Sequence, residues 1–464
     1  MSKLLDDLAA ILGDGLLQTE AERNARARDT WMRSQIPVSA GSPVVPPLAV
    51  CAPSSSEELA AVVRACIAHD TAMIPRGGGS GVVGGVLANA DSVVLSTERM
   101  TGLRAFSSTD LLATFGAGTN GLEAEQRMQA EGLSIGHWPQ SIELSTVGGW
   151  VATRASGQYS TFFGNIEDMV YSLQAVLADG SIYRSRATPR ASAGPDLRHL
   201  LMGGEGTLGV ITEVTFSVRQ QPESEVRQAF HFGDFDAGLE AARKLMRAGW
   251  RPAVLRLYDG RESWRHFRER LPKGNAMLIL AHMGPAALTA VEADAVSTIC
   301  DSNDGVAAAD EVVDGWFEHR NTVPTWDELL AQSIVADTIE IAADWTRLPK
   351  LYRAVIDALE AVEGVVAASA HSSHAYRSGA NLYFTVAATP AVLEDYTSTY
   401  DAFWSAAMNA AASVGAGLAH HHGVGRVRRD WMREELGIGG LSMLRSVKKA
   451  IDPHGLMNPG VLVP

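Results

Sequence analysis

The chain has 464 residues, of which 46% are hydrophobic and 20% are charged, and this composition excludes a disordered or collagen-like protein. The net charge of −14 argues against a nucleic-acid partner, which needs a basic surface. The chain contains only three cysteines, which excludes a disulfide framework, a zinc ribbon and a cysteine-ligated iron–sulfur cluster, and favours a reducing, cytoplasmic location.

Residues 1–40 are predicted to form an N-terminal helical segment. Asp6, Asp7 and Asp14 interrupt its leucines, which is typical of an amphipathic helix and not of a signal peptide. No apolar run approaches the ~20 residues that cross a bilayer, although peripheral membrane contact stays open. The proline-rich stretch 34–50 is predicted to leave the helix and run extended.

A β/α alternation over residues 41–221 predicts the first domain. Serines and glutamates at 54–58 are typical of a helix start. Asp179-Gly180 predicts a hairpin turn, and the alternation from Val210 to Val218 predicts a half-buried closing strand. Further strands are predicted at 72–74, 93–96 and 111–115.

A second domain is predicted over residues 222–415, followed by a C-terminal segment over 416–464. The second domain alternates short strands with helices, which predicts a ferredoxin-like antiparallel sheet with helices on one face. The C-terminal segment combines a loop rich in glycine and histidine with a helix at about 441–451. The predicted strands of the second domain are 229–232, 253–258, 276–282, 365–371 and 380–388, and its clearest helices are 236–248 and 346–362.

Three glycine-rich segments in the first domain predict a cofactor site. The first, 75–85, follows a strand, and its glycines leave N–H groups free to converge on phosphate oxygens. It lacks the lysine of a triphosphate-binding loop and the spacing of a Rossmann unit. The second, 139–157, and the third, 203–211, combine glycines with hydroxyl groups. Each segment alone is also typical of a structural turn, whereas three in this order favour a cofactor.

The three segments resemble the flavin-binding domain of the vanillyl-alcohol-oxidase superfamily, also called the PCMH type. Within it, residues 145–156, 163–170, 205–211 and 420–425 look most like alkyldihydroxyacetonephosphate synthases. The resemblance implies an α+β fold: a two-subdomain PCMH-type FAD-binding domain, a ferredoxin-like cap domain, and a C-terminal helical segment that returns to the flavin.

FAD is the cofactor that the resemblance implies, with the pyrophosphate on the first segment and the ribityl chain and isoalloxazine ring on the other two. The first segment has neither histidine nor cysteine, so the FAD is predicted to be non-covalent. The candidate cofactor-binding residues are Pro75, Arg76, Gly77, Gly78, Gly79, Ser80, Gly81, Gln140, Ser141, Ser145, Thr146, Gly148, Gly149, Thr153, Ser156, Gly157, Glu205, Gly206, Thr207, Gly209, Val210 and Ile211.

The C-terminal half supplies the candidate catalytic residues. By resemblance, Tyr383 matches the proton donor of the synthases, and the three consecutive histidines match their essential histidine cluster. Arg256 matches an arginine near their active site. An arginine among apolar strand residues needs an oxygen partner, either on flavin or substrate or in a salt bridge with a carboxylate such as Asp259. The candidate catalytic residues are Tyr383, His420, His421, His422 and Arg256.

Two departures from related families bear on the ligand. Related flavin-linked 2-hydroxyacid dehydrogenases carry a metal on histidines and a glutamate. Here Tyr383 replaces a histidine and a histidine replaces the glutamate, so no metal is predicted. The synthases keep an arginine that is thought to hold the substrate phosphate. Asp327 matches that position and would repel a phosphate, although Arg320 nearby could compensate. The candidate substrate residues are Arg320, Asp327 and His374.

Two enzyme classes are compatible with these features. The first is an FAD-dependent oxidoreductase in which a hydride passes from a small-molecule hydroxyl (or amine) substrate to flavin N5. The second exchanges acyl for alkyl in ether-lipid synthesis without net redox change. The replaced arginine favours the first class and the motif resemblance favours the second. A flavin-carrying binding protein would leave the tyrosine and histidines without a role. We expect a small-molecule substrate, no nucleic-acid partner and no transmembrane segment, while a homodimer stays open.

Overall fold

The chain folds into two compact units. The structure, a computed structural model, describes residues 2–268, 270–309, 311–322 and 324–464. Unit 1 comprises Met1–Ala155, Asn165–Gln220 and His421–Pro464, and unit 2 comprises Ser156–Gly164 and Gln221–His420. No helix in the described ranges combines the length and the hydropathy that a membrane span requires.

The strands, in chain order within the described residues, are β1 (Leu16–Leu17), β2 (Ala49–Cys51), β3 (Ala72–Arg76), β4 (Ser92–Ser96), β5 (Leu103–Ser107), β6 (Leu112–Gly116), β7 (Leu133–Ser134), β8 (Val170–Leu177), β9 (Ile182–Arg184), β10 (Gly209–Ser217), β11 (Arg219–Gln220), β12 (Ser224–Phe232), β13 (Val254–Tyr258), β14 (Ala276–Gly284), β15 (Val306–Ala307), β16 (Val335–Asp344), β17 (Val365–Ser372) and β18 (Gly379–Ala388).

The α-helices of the same residues are α1 (Ser2–Leu12), α2 (Glu20–Asn24), α3 (Met32–Ser39), α4 (Ser56–Ala68), α5 (Gly121–Gln129), α6 (Val147–Thr153), α7 (Ser160–Phe163), α8 (Ile166–Met169), α9 (Arg198–Leu201), α10 (Phe235–Ala248), α11 (Gly260–Phe267), α12 (Ala286–Asp301), α13 (Glu311–His319), α14 (Trp326–Ala331), α15 (Leu348–Glu360), α16 (Tyr396–Val414) and α17 (Met432–Ile451). Short 3₁₀ turns lie at Gly13–Gly15, Leu393–Asp395 and Arg429–Trp431.

Unit 1 contains two main sheets. A four-stranded sheet has the order β1-β2-β4-β3, in which β2 and β3 both run parallel to β4. A five-stranded antiparallel sheet has the order β5-β6-β10-β8-β9. Helix α4 buries Leu59, Val62, Val63 and Cys66 on one face, as its sequence pattern predicts. This helix packs in one hydrophobic cluster with the buried residues of β2, β3 and β4.

The N-terminal segment differs from the sequence prediction at its end. Residues Ser34 to Ser39 were expected to be extended, but they belong to α3, which contains Pro37. Proline cannot donate a backbone hydrogen bond, so it weakens a helix. Met32 and Ile36 are buried, and we attribute the persistence of the helix to their packing. Residues 40–48 leave the helix as predicted.

The closing strand β10 is more deeply buried than its alternating sequence predicts. Ile211 and Thr212 are both buried, although they are consecutive and should face opposite sides of the sheet. The pairing of β10 with β8 shifts register between Ile211 and Glu213, which is the signature of a β-bulge. The regular alternation of buried and exposed side chains begins only after this bulge.

Unit 2 is built on one seven-stranded antiparallel sheet with the order β15-β12-β14-β13-β17-β18-β16. The five strands predicted from sequence are all present and differ by at most a few residues at their ends. Strand β16, which contains Asp337-Thr338-Ile339-Glu340, and helix α16 were not predicted. Helix α13 also departs from the prediction. It packs Val312, Val313 and Trp316 against Tyr258, whereas α10 meets the neighbouring Leu257, so the sheet has helices on both faces.

Candidate active site

The first and second glycine-rich segments meet in unit 1. Strand β3 delivers the first segment, and the second runs into the start of α6. A Cβ atom added to Gly77 would lie 2.5 Å from Thr146 Oγ1, and one added to Gly78 would lie 2.1 Å from the Leu144 carbonyl oxygen. A larger residue at Gly78 would require the backbone to move, whereas one at Gly77 would displace the Thr146 side chain. The close approach of the two segments therefore requires glycine at position 78 and favours it at position 77.

The third glycine-rich segment adjoins the first one from the other side. A Cβ atom on Gly206 would lie 2.8 Å from the Pro75 ring, and Gly206 has a φ of +72°, which favours glycine. A Cβ atom on Gly209, at the start of β10, would lie 2.5 Å from the Val176 carbonyl oxygen. The three segments therefore converge on one region of unit 1, as a single cofactor site requires.

The N-terminal segment holds the first glycine-rich segment in place, which the sequence analysis did not predict. The Thr30 backbone N–H donates to the Gly81 carbonyl at 2.9 Å. The buried Asp29 carboxylate accepts from the Val86 N–H at 3.2 Å. A Cβ atom on Gly84 would lie 2.6 Å from the Trp31 ring. No motif in the sequence marks this contact.

The C-terminal segment holds the third glycine-rich segment. The buried Glu205 carboxylate accepts hydrogen bonds from the Val424 N–H at 2.7 Å and the Gly425 N–H at 2.8 Å. The Asn458 side-chain amide donates to the Glu205 carbonyl at 2.7 Å and to the Gly85 carbonyl at 3.1 Å. The side chain of Glu205 is thus engaged with protein backbone. These hydrogen bonds join the third glycine-rich segment to the C-terminal segment.

Two carboxyl groups near this region have strongly raised pKa values. Burial raises the pKa of Asp29 to about 7, against an ordinary value of 3.8. Burial also raises the pKa of Glu205 to about 7, with the nearby Asp29 adding to the effect, while the Val424 and Gly425 N–H groups and Arg428 oppose it. Both groups therefore change protonation near neutral pH.

Among the other candidate cofactor residues of the second and third segments, most hydroxyl groups form hydrogen bonds within the protein. Ser145 accepts from the Trp150 indole at 2.8 Å, and Thr146 caps α6. Thr153 donates to the Gly149 carbonyl and Thr207 to the Gly204 carbonyl. Ser141 is partly buried, Gln140 is exposed, Gly148 and Gly149 lie in α6, and Val210 and Ile211 are buried in β10. Ser156 and Gly157 belong to unit 2, and the other cofactor candidates belong to unit 1.

The first segment and its surroundings contain buried nitrogen atoms without a partner. Arg76 donates to the Gly77 and Gly78 carbonyls. Within the described ranges, neither its Nε nor the ring nitrogens of His137 have a hydrogen-bond partner. Burial lowers the pKa of His137 to about 3, so this ring is neutral. Unpartnered buried polar atoms beside a glycine cradle fit a polar, ring-containing group such as FAD. His137 was not predicted, although it directly precedes the second segment.

A row of polar and aromatic side chains crosses the sheet of unit 2. Tyr258 on β13 pairs with His371 on β17, which pairs with Tyr383 on β18, which pairs with Glu340 on β16. Directly opposed residues of neighbouring strands share a face of the sheet. The rings of His371 and Tyr383 are stacked with centroids 4.7 Å apart. Burial raises the pKa of Tyr383 to about 12, so this phenol keeps its proton at neutral pH.

Arg256 lies on the same face as this row, two residues before Tyr258. Its Nη2 donates to His371 Nε2 at 2.7 Å, and its buried Nε has no hydrogen-bond partner within the part of the chain that the structure describes. The salt bridge with Asp259 that sequence analysis left open is absent. Asp259 instead caps α11 and accepts from the Tyr352 hydroxyl. Among the described residues, no carboxylate forms an ion pair with Arg256.

His374 and His420 form a second group in unit 2. Their rings stack with centroids 5.0 Å apart. His374 Nδ1 lies 2.5 Å from the Ser160 hydroxyl, and His420 Nε2 lies 2.7 Å from the Tyr376 hydroxyl. The backbone N–H of His374 donates to the side chain of Asn381, which stands two residues before Tyr383 on β18. Asn381 therefore links His374 to the strand that carries Tyr383.

The three consecutive histidines are divided between the units. His420 is the last residue of unit 2, whereas His421 and His422 belong to unit 1. The rings of His421 and His422 meet edge to face with centroids 4.5 Å apart. These two histidines directly precede Gly423, whose added Cβ would lie 3.0 Å from the Glu205 carboxyl carbon.

The candidate substrate residues of α13 and α14 have contrasting environments. Arg320, just after α13, donates to the Tyr159 hydroxyl and stacks on the Phe317 ring at 4.8 Å. It also lies 5.9 Å from the Trp316 ring, on which Arg256 stacks at 5.7 Å. Asp327 is exposed in the first turn of α14. A carboxylate repels a phosphate strongly only where water is excluded, so the exposure of Asp327 weakens the predicted repulsion.

Comparison with known proteins supports the same chemistry. Residues 47–186 match the family model of an FAD binding domain, and residues 221–462 match that of the C-terminal domain of FAD linked oxidases. "Uncharacterized FAD-linked oxidoreductase YgcU" of Escherichia coli (strain K12) is 30% identical over 482 residues, covering 99% of this chain and 98% of that protein. D-lactate dehydrogenase of Archaeoglobus fulgidus is 27% identical over 434 residues, covering 89% and 91%. A solved structure of alkyldihydroxyacetonephosphate synthase aligns with a TM-score of 0.82 and 25% identity, covering 99% of this chain and 84% of that one.

These matches and the converging glycine-rich segments define a flavin-dependent enzyme with the PCMH-type α+β fold that the sequence predicted. The chain belongs to the family of FAD-linked oxidases, and FAD is its cofactor. The resemblance to PCMH-type flavoproteins, the α+β fold class, FAD as the cofactor and the prediction of an FAD-linked enzyme are therefore confirmed. The substrate is the open question.

Proposed function

We propose that this enzyme oxidises a small-molecule hydroxyl substrate, or the corresponding amine, with Arg256 binding a substrate oxygen. One observation carries the proposal. Arg256 is a cation on the sheet face of unit 2 that donates to the neutral ring of His371, and none of the described residues is a hydrogen-bond partner of its buried Nε. A guanidinium in this state can donate to a ligand oxygen without first breaking an ion pair.

The reaction removes a hydride and a proton from the substrate. FAD, when bound, supplies the redox chemistry by accepting the hydride at N5. Tyr383 keeps its phenolic proton at neutral pH, because burial raises its pKa to about 12. We therefore assign Tyr383 the role of a hydrogen-bond donor that orients the substrate oxygen. The hydroxyl proton passes to a histidine, for which His374 and His420 are the candidates in unit 2, with His421 and His422 following in the chain.

The test is anaerobic mixing of the purified holoenzyme with a panel of 2-hydroxy acids, simple alcohols and the matching amines. Loss of the flavin absorbance band with one of these substrates supports the proposal. If no hydroxyl or amine compound reduces the flavin, while chemical reduction with dithionite still does, the proposal is wrong.

The exchange of acyl for alkyl in ether-lipid synthesis is the second candidate function. Similarity to a solved alkyldihydroxyacetonephosphate synthase over 99% of this chain favours it. Arg320 is the candidate phosphate ligand in that case, because Asp327 cannot attract a phosphate. Incubation with acyl-dihydroxyacetone phosphate and a fatty alcohol distinguishes the two functions. Formation of the alkyl ether without flavin reduction would put the synthase reaction first.

We also propose a cytoplasmic enzyme that acts without a metal or a nucleic-acid partner. The three cysteines are free and buried, as in a reducing compartment, and the net charge is −14. A homodimer is compatible with these features, and light scattering of the purified protein tests it. Retention of flavin reduction after dialysis against EDTA tests the proposed independence from metal.

A further inference from the structure

His371 contacts both candidate catalytic residues of the unit 2 sheet. It is buried on β17, with its Nε2 2.7 Å from Arg256 Nη2 and its ring stacked on Tyr383 at 4.7 Å. The interplanar angle of the stacked rings is 26°. A single buried side chain thus determines the surroundings of a cation on one strand and of a phenol on another.

The hydrogen bonds of His371 have a defined direction. A guanidinium can only donate, so Nε2 must accept and the ring proton must sit on Nδ1. Nδ1 lies 3.1 Å from the Glu262 carboxylate, which accepts that proton's hydrogen bond. Burial and the nearby Arg256 lower the pKa of His371 to about 4, in agreement with a neutral ring. The chain of donors therefore runs from Arg256 to His371 and from His371 to Glu262.

Glu262 is a buried carboxylate on α11 that is linked to Arg256 through the ring of His371. Burial by itself raises its pKa, but the neighbouring His371 and His266 and the charge of Arg265 lower the pKa of Glu262 below its ordinary value. Arg265 lies 3.3 Å from this carboxylate. A charged acceptor favours the Nδ1–H tautomer of His371, because a charge-assisted hydrogen bond is stronger than a neutral one.

We propose that His371 and Glu262 are positioning residues of the oxidation, which rests on the proposed function above. His371 orients the guanidinium of Arg256 toward the substrate oxygen and holds the ring of Tyr383 against the sheet, and Glu262 selects the tautomer that His371 needs. Arg256 also stacks on the rings of Tyr258 at 5.2 Å and of Trp316 at 5.7 Å. Those contacts hold the guanidinium between rings, and the hydrogen bond to His371 sets its rotation there.

Three variants separate the two roles of His371. His371→Phe keeps a ring to stack on Tyr383 but removes the acceptor for Arg256. His371→Gln keeps an acceptor and a donor but removes the ring. Glu262→Gln keeps the shape of the acceptor and removes its charge. His231→Gln is the matched control, because His231 is another sheet histidine of unit 2 with a single hydrogen bond, at 3.0 Å to Asn275.

The measurement is anaerobic flavin reduction as a function of substrate concentration, which gives a substrate Kd and a limiting rate. We expect His371→Phe to raise Kd about tenfold to a hundredfold, because Arg256 loses its orientation. We expect His371→Gln mainly to lower the limiting rate, because Tyr383 loses its stacking partner. Glu262→Gln should raise Kd in the same direction as His371→Phe but by less. His231→Gln should leave both constants unchanged.

A merely structural role would lower the unfolding temperature of the variants and leave both constants of the folded, FAD-loaded fraction near the wild-type values. Values within threefold of wild type for both His371 variants would therefore overturn the proposal. A Kd near the wild-type value in His371→Gln but not in His371→Phe would support the proposal. If one His371 variant fails to fold, the other variant together with Glu262→Gln is enough to test it.

A second measurement does not depend on turnover. In holoenzyme labelled with ¹⁵N-histidine, the His371 signals are assigned by their loss in His371→Gln. We expect the Nδ1–H tautomer, and a mixture of tautomers in Glu262→Gln. An Nε2–H tautomer in the wild type would overturn the positioning role. If no substrate reduces the wild-type flavin while the Nδ1–H tautomer is observed, the proposed function fails and the hydrogen-bond chain stands.

Discussion

Substitution of Gly78 by alanine tests whether contact between the first and second glycine-rich segments shapes the FAD site. The added Cβ would lie 2.1 Å from the Leu144 carbonyl oxygen, whereas real Cβ atoms do not approach closer than 3.0 Å. The two segments must therefore separate by about 0.9 Å, and the opposing atom is backbone, which cannot rotate away as a side chain would.

The magnitude follows from the cost of overpacking. Forcing an extra methyl group into a closely packed region typically costs about 1–3 kcal/mol. The apoprotein bears part of this cost, and the remainder appears as weaker binding, because the displaced N–H groups no longer face the cofactor as before. We expect the FAD Kd of Gly78→Ala to rise about tenfold or more, which corresponds to about 1.4 kcal/mol.

The assay is titration of apoprotein with FAD, followed by flavin fluorescence, together with unfolding temperatures with and without FAD. Gly85→Ala is the matched control in the same segment. Its Cβ would have its nearest atoms, on Asp29 and Glu205, at 4.0 Å, which is an ordinary contact distance. We expect the control to bind FAD like the wild type.

Two results would refute this reasoning. If Gly78→Ala binds FAD within twofold of the wild type, the contact between the two segments does not shape the site, even if the protein is less stable. If Gly85→Ala weakens binding as much as Gly78→Ala, the effect arises from loss of glycine flexibility along the loop and not from the contact with Leu144.

Four further predictions follow from the structure. Acid or heat denaturation should release free FAD, because the cofactor is proposed to be non-covalent, and flavin absorbance retained by the washed precipitate would contradict this. Tyr383→Phe should keep its FAD and lose about 10²-fold in the rate of flavin reduction, because the substrate oxygen loses a donor that orients it, whereas a loss below threefold would make Tyr383 a packing residue. The pKa of Asp29 is about 7 in the folded chain, against an ordinary value of 3.8 for the unfolded chain. Between pH 3.8 and pH 7 the folded state therefore keeps the proton that the unfolded state loses. The unfolding free energy of the wild type relative to Asp29→Asn should therefore fall by up to about 4 kcal/mol from pH 4 to pH 7 and then level off. Denaturant titrations at several pH values measure this difference. A difference that does not change with pH would show that Asp29 has an ordinary pKa. Asp327→Arg should leave the substrate Kd within twofold, because this side chain is exposed in α14, and a large change in Kd would return Asp327 to the substrate site.

Local sequence patterns predicted a cofactor site, and the resemblance of these segments to a flavin-binding family implied FAD. The glycines of 75–85 and 203–211 stand next to strands and can be recognised because steric restrictions on the backbone act within a few residues. The five predicted strands of unit 2 follow from short runs of apolar residues, which are also a local property of the sequence. Family membership and FAD were accordingly within reach of the sequence.

The partners of the polar residues could not be predicted, because they depend on which strands become neighbours. Sequence proximity offered Asp259, three residues away, as one possible partner of Arg256 beside a flavin or substrate oxygen. The actual partner, His371, is 115 residues away and becomes a neighbour only because β13 pairs with β17. Asp259 is unavailable, because it accepts the backbone N–H groups of Arg261 and Glu262 at the start of α11.

The same limit applies to the N-terminal segment. Asp29 and Trp31 showed no pattern that distinguishes them from surface residues, yet they lie against the first glycine-rich segment, more than fifty residues later in the chain. A buried carboxyl group gains its raised pKa from every atom that excludes water around it, and those atoms come from distant parts of the chain. Residue types and local spacing therefore predicted a cofactor site, and the resemblance to a known family implied FAD, whereas the pairing of strands and the packing of segments decided which side chains contact one another.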